Sequence, residues 1–280
     1  VVFAGAHGVQ ISGEVHGPAH GQPVILSPGG GQTRHAWGRS AAMLAANGFR
    51  AVSLDLRGHG ESGWTTSGLY PVDDYADDVR AVTAMLGGAP ILVGASLGGI
   101  ASLLAAAEPP RVAIAGLCLV DVTARLAPAG VEGVLGFMQR GVDGFGGLDE
   151  AAEAIAAYLP HRPRPDGHAG LAKNLRQRED GRYYWHWDPR VVEHPFAPDV
   201  INPRLEAAAC RISAPALLLR GEHSEVVTRA AGAAFMALFP RGRMIDIPDA
   251  RHMVAGDRND AFGKALLDFA RAISNPDKPA

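Results

Sequence analysis

Lysine is almost missing from this chain. Only Lys173, Lys264 and Lys278 occur in 280 residues, so its basic charge is carried almost wholly by arginine. With 26 basic against 29 acidic residues the formal charge is -3, and no run of cations is long enough to grip a phosphate backbone. Nucleic acid is therefore excluded as an expected partner. Cysteine is as scarce: Cys118 lies inside the apolar run VAIAGLCLV and Cys210 stands far from it. Two distant thiols suggest neither a disulfide framework nor a metal cluster. No stretch approaches the ~20 apolar residues of a membrane span, and the opening VVFAGAHG has neither the basic start nor the apolar core of a secretory signal. The chain reads as a soluble, cytoplasmic protein with no membrane partner and an open oligomeric state.

Short apolar runs alternate with longer helical patterns, the sequence form of an α/β fold with a mainly parallel sheet flanked by helices. The spacing predicts strands near 9–16, 23–27, 50–55, 90–95, 112–121, 215–220 and 243–247, with helices near 36–47, 72–86, 97–107, 228–239 and 258–273. In DDYADDVRAVTAML, for example, Tyr75, Val79, Val82 and Leu86 fall on one helical face behind an acidic first turn. One interval breaks the rhythm. Between Ala124 and Ala208 no clear strand is legible; LDEAAEAIAAYL reads as an amphipathic helix and GRYYWHWDPR as a compact aromatic turn. So long a stretch is no loop in a compact domain. Residues 124–208 are expected to be an inserted helical cap, with 1–123 and 209–280 forming the core.

GASLGG, residues 94–99, raises the question of a nucleophile. Among 35 glycines and 11 serines, about 0.2 chance matches to Gly-x-Ser-x-Gly are expected, so the letters alone prove little. Their setting adds more. The apolar run PILV precedes them and the small-residue stretch IASLLAAAE follows. A tight strand-to-helix turn exposes a serine on a rigid support and crowds the positions two before and two after, here Gly94 and Gly98. Ser96 is thus a candidate nucleophile. His252, in RMIDIPDARHMVAGD after the final strand, is the candidate general base, because its loop falls at the same sheet edge. No other histidine shows zinc-ligand spacing, and no metal site is expected.

With SPGGGQTRHAW after one strand, DLRGHGES after the next, GASLGG after a third and a late histidine, the chain resembles the α/β-hydrolase superfamily with a lid insertion. The likeness covers nearly everything outside residues 124–208. It implies that Gly30 and Leu97 supply backbone N–H groups to an oxyanion, that Ser96, an acid and His252 form a triad, and that no cofactor is needed. One departure is Pro28, which stands before Gly29 where the superfamily often has His-Gly. The acid is less determined. Most of the superfamily takes it from the loop after PALLLR, where this chain has Ser224 in the usual aspartate position, Glu225 beside it and Glu222 nearby. A minority takes it from the end of the strand after the nucleophile helix, where LVDVTA offers Asp121. Asp121 is preferred and Glu225 is the alternative; either keeps the order Ser, acid, His.

GHGESG, residues 58–63, matches a dinucleotide fingerprint in letters, but WTTSGLYP after it cannot open a packed helix. Asp55, Arg57 and His59 there are read as tying a turn together. Against an overall aromatic content of 6%, the cap carries Phe137, Met138, Phe145, Tyr158, Tyr183, Tyr184, Trp185, Trp187 and Phe196, which serve either a substrate pocket or the cap's own core. Candidate substrate contacts are Gly31, His35, Trp37, Phe137, Tyr184, Trp185 and Trp187. The resulting expectation is an esterase or lactonase that cleaves a small to medium, largely apolar carboxylic ester through an acyl-enzyme. A cofactor-free oxygenase or carbon–carbon bond hydrolase of the same fold is the rival enzyme, and a non-catalytic ligand receptor the third reading.

Overall fold

The computed structural model describes residues 1–162, 167–168, 170–193 and 197–274. Phe196 and the tail from residue 275 lie outside this set. The strands are β1 (Val2–Ala4), β2 (Gln10–His16), β3 (Pro23–Ser27), β4 (Arg50–Leu54), β5 (Ile91–Ala95), β6 (Gly116–Val120), β7 (Leu175–Gln177), β8 (Tyr183–Trp185), β9 (Ala216–Gly221) and β10 (Gly242–Ile247). The helices are α1 (Gly38–Ala46), α2 (Val72–Leu86), α3 (Ser96–Ala107), α4 (Pro128–Gln139), α5 (Leu148–Tyr158), α6 (Pro198–Cys210), α7 (Arg229–Met236), α8 (Val254–Asp257) and α9 (Asn259–Ser274).

Eight strands form one sheet in the order β1-β2-β4-β3-β5-β6-β9-β10. β1–β2 and β2–β4 pair antiparallel, and the five remaining pairings, from β4–β3 to β9–β10, are parallel. The central strands explain why their sequences read as unbroken apolar runs: with helices on both faces, both sides of each pleat are buried. In β5, Leu92 faces a core shared with α2, α3, α6 and α7 through Tyr75, Leu104, Leu205 and Phe235. Its neighbours Ile91 and Val93 face the opposite core, built with α1 and α9 through Leu44, Phe262, Leu266 and Phe269. α2 runs over the very residues that its periodicity predicts, with Tyr75, Val79 and Val82 buried.

The interval between β6 and β9 differs in detail from its sequence reading. GRYYWHWDPR is not a turn: Tyr183–Trp185 is a strand, paired antiparallel with Leu175–Gln177. Three-residue strands are too short for alternation to announce. Two helices were also hidden. α4 carries glycine at 130, 133 and 136, and α6 holds Pro203 in its interior, residue types that argue against a helix until packing overrides them. Met138, Phe145, Ala151, Leu175, Trp185, Trp187 and Val192 bury one another in a separate apolar cluster. Among the described residues no helix is long and apolar enough to cross a membrane.

Candidate active site

The carboxyl ends of the parallel strands gather the candidate residues, as is usual for ligand sites on open α/β sheets. β5 ends at Ala95 and α3 begins at Ser96, whose φ is 44°. Few side chains other than glycine adopt that backbone, so the serine is held there by its surroundings. The neighbouring glycines are required by close backbone approach. A β-carbon on Gly94 would overlap the Gly98 carbonyl, and one on Gly98 would overlap the carbonyl oxygens of Ser27 and Pro28. On Gly99 it would stand 2.6 Å from Val122 Cγ1. Local crowding thus accounts for the three glycines of GASLGG.

Asp121 follows β6 and also has positive φ, 49°. It is 1% exposed, and a carboxylate so placed must be offset by donors. Three converge on it. The Gly221 N–H donates to Oδ1 at 2.9 Å, the Ser224 hydroxyl to Oδ2 at 2.5 Å, and His252 Nδ1 lies 2.8 Å from the same Oδ2. Because a carboxylate oxygen accepts, a hydrogen sits on Nδ1, and Nε2 is the ring nitrogen not engaged by the aspartate. Glu225, the alternative acid, is exposed and makes no bond to His252, while Glu222 accepts from the Asp249 amide. Ser224 itself occupies the loop after β9, its oxygen also accepting from the Val226 and Val227 amides. The loop bearing His252 is pinned from the interval between β6 and β9: Arg162 donates to Asp257 and to the Met253 carbonyl, and within the loop itself the Arg251 amide bonds Asp257.

Ser96 and His252 wall one cleft of about 480 Å3, counted with its open mouth, together with Gly29, Gly30, Gly31, Gln32, Val134, Phe137, Met138, Tyr158 and Met253. Among the described residues no arginine or lysine lines it. Phe137 stacks on Tyr158 at 4.3 Å between ring centroids, and burial pushes the Tyr158 hydroxyl up to about 12. Of the candidate substrate contacts, Gly31 and Phe137 reach the cleft. The others do not. His35 is exposed on a short 3-10 turn, and Trp37 is buried against Phe262 in the core below α1 and α9. Tyr184, Trp185 and Trp187 border a different groove; Trp185 is stacked on Trp187 at 4.9 Å and bonds the Arg140 carbonyl. Arg178 lies over the Tyr184 ring and Arg182 bonds the carbonyls of Asp143 and Gly144. Met138 and Tyr158, which the sequence offered for either a pocket or the cap's own core, line the cleft, whereas sequence reasoning missed Val134, Gln32 and Met253. Val134, Phe137 and Met138 fall at i, i+3 and i+4 of one helix face, the signal that was available.

A parallel sheet whose carboxyl edge carries a strained serine turn and a buried aspartate–histidine pair defines a hydrolase architecture, and the comparisons with known proteins agree. The sequence profile of the alpha/beta hydrolase fold matches residues 22–258. The chain belongs to that family and is an α/β-hydrolase enzyme. It is 40% identical to a putative carbamate hydrolase, RutD, of Variovorax paradoxus, over 95% of this chain and 98% of the relative. It is 29% identical to the esterase Rv0045c of Mycobacterium tuberculosis, over 89% of this chain and 82% of that protein. Among solved structures, the E-2-(acetamidomethylene)succinate hydrolase superposes with a TM-score of 0.81 at 23% identity, covering 96% and 98% of the two chains.

Proposed function

We propose that the chain is a serine hydrolase of small to medium, largely apolar carboxylic esters. The observation that carries this is the 2.8 Å contact between His252 Nδ1 and buried Asp121, with Ser96 and His252 on one cleft wall. Ser96 Oγ attacks the ester carbonyl while His252 Nε2 takes its proton. Asp121 holds the imidazole in the tautomer that leaves Nε2 free and stabilises the imidazolium that forms. The amides of Gly30 and Leu97 donate to the oxyanion: Leu97 sits in the first turn of α3, where backbone donors lack intrahelical partners. The tetrahedral centre collapses, the C–O bond to the alcohol breaks, and His252 returns the proton to the leaving oxygen. Water, activated by the same histidine, then releases the acid and regenerates the serine.

The substrate class follows from the walls. Val134, Phe137, Met138 and Met253 offer apolar surface and no cation stands among them in the described residues, which favours a neutral acyl group over one bearing a carboxylate. The segment 124–208 serves as the cap that supplies Val134, Phe137, Met138 and Tyr158 to this cleft. The 40% identity to a putative carbamate hydrolase supports a second reading, in which the scissile carbonyl belongs to a carbamate and the same groups act. Ser96→Ala is the test. A loss of at least about 10³-fold in kcat/KM on aryl and alkyl esters, with fluorophosphonate labelling confined to Ser96, is expected. A modest loss beside a severe one in His252→Ala would overturn acyl transfer in favour of base chemistry without a serine adduct. Running carbamates beside the esters separates the two substrates.

A further inference from the structure

Three consecutive amides follow the strand β3 and its Pro28. The Gly29 N–H donates to Gln32 Oε1 at 3.0 Å, and the Gly31 N–H donates to His59 Nε2 at 3.0 Å. Between these two tethered groups the Gly30 amide has no acceptor among the described residues. Of the three glycine amides it is the one left to a ligand among the described residues.

His59 is fully buried and lies on the turn after β4, not in the cleft. Its Nδ1 stands 2.9 Å from the Arg57 carbonyl, which only accepts, so Nδ1 bears the hydrogen. Nε2 must then be unprotonated, which suits the N–H it receives from Gly31. Burial, opposed by the Arg57 carbonyl bond, pushes this imidazole below its ordinary value, so it stays neutral. The turn that carries it is braced on every side. Arg57 donates to Asp78 at 2.7 Å and to Asp74 at 2.5 Å. Asp55 accepts from the Arg34 amide at 2.6 Å, three residues beyond Gly31 on the same loop. From the inserted segment, His186 Nδ1 accepts the Gly60 N–H at 2.9 Å, and Arg176 donates to the Gly60 carbonyl.

We propose that His59 is a positioning residue for the oxyanion site: by accepting the Gly31 N–H it sets the peptide planes of the loop so that the Gly30 N–H is presented over Ser96. The inference rests on the acyl-transfer reading above. His59 touches no reacting atom. It acts through Gly31, and its own position is registered to the cap by the His186–Gly60 bond. An oxyanion donor stabilises the transition state far more than the bound substrate, so its misplacement lowers kcat and leaves KM nearly unchanged.

Removing a whole oxyanion donor lowers kcat by roughly 10²–10³-fold, and a donor kept but misaimed should lose less. His59→Ala is therefore expected to lower kcat by about 10–100-fold with KM within about threefold. A trifluoromethyl ketone, whose serine adduct carries an oxyanion, should lose affinity by the same factor, while the binding of a product-like alcohol stays unchanged. His59→Gln, whose Oε1 can accept from Gly31, should recover most of the rate; His59→Leu should not. Fluorophosphonate titration of Ser96 normalises each variant to active sites. Equal losses in kcat/KM through KM alone, or Leu and Gln variants of equal rate, would overturn the proposal. If Ser96→Ala retains activity, the acyl-transfer reading has failed instead. Should the variants not fold, 15N spectra of the unsubstituted protein decide: an unprotonated Nε2 and protonated Nδ1 at His59 support the proposal, and the opposite tautomer removes it.

Discussion

Asp121 is a carboxylate with nowhere to shed its charge into water, held by a backbone amide, a hydroxyl and an imidazole. Asp121→Asn keeps the volume but offers an amide to Nδ1–H, and it is expected to lower kcat on esters by about 10³- to 10⁴-fold. Ser224 makes that loss partly reversible. It occupies the loop position at which the resemblance to the superfamily places the acid, and its oxygen already faces Oδ2 at 2.5 Å. Adding Ser224→Asp to Asp121→Asn should therefore regain at least about tenfold in kcat/KM over the single variant, because a carboxylate again lies within reach of the imidazole. No gain in steady-state rates would mean that the loop after β9 cannot present an acid to His252. The acid was only half legible in the sequence. Asp121, Glu222 and Glu225 all precede His252 in the chain, so order could not separate them; only the approach of one side chain to the imidazole does.

The turn from β5 into α3 was the opposite case, since its demands are local. Gly98 has no room for a methyl group beside the carbonyls of Ser27 and Pro28. Gly98→Ala must push β3 from α3 and is expected to destabilise by several kcal/mol, in the range of severe core overpacking and strain. Gly133 in α4 is the control, with open space around its α-carbon. There alanine should be neutral or stabilise by up to ~1 kcal/mol through helix propensity. Urea unfolding of the two variants checks the contrast; comparable stabilities would remove the steric account of GASLGG. The same local logic explains which elements were readable. PVILS, RAVSLD and DDYADDVRAVTAML declare themselves by runs and periods, whereas the β7–β8 pair and the glycine-bearing α4 exist because neighbouring surfaces hold them.

Across the whole molecule, buried neutral histidines couple stability to pH. Burial, with help from the Arg176 guanidinium, pushes His186 down to about 3 from 6.5. Below pH about 6.5 the unfolded chain takes up a proton that the folded protein refuses, so this contribution is complete above that pH. It is lost as pH falls toward 3, by at most ~1.4 kcal/mol per pH unit for one such group. The folded carboxylate of Asp257 is pulled low by His161, the Arg251 amide and Arg162 against its burial, and loses stability in the same direction. Comparing unfolding free energies at pH 7 and pH 5 isolates the histidine: His186→Gln should show a shallower loss than the parent. An unchanged slope would mean that His186 is charged in the folded state.

By itself the sequence determined the layered α/β architecture, the serine turn and the late histidine, since these arise from short-range patterns: both-face burial of strands, helical periods and crowding between adjacent glycines. Which carboxylate meets His252, that Trp37, Trp185 and Trp187 fill cores and leave the cleft to Val134, Met138 and Met253, and that His59 grips Gly31 were decided only by tertiary structure. Each of these is a contact between residues far apart in the chain, and the chain's spacing carries no information on the direction in which a distant side chain points once the sheet has twisted and the helices have packed.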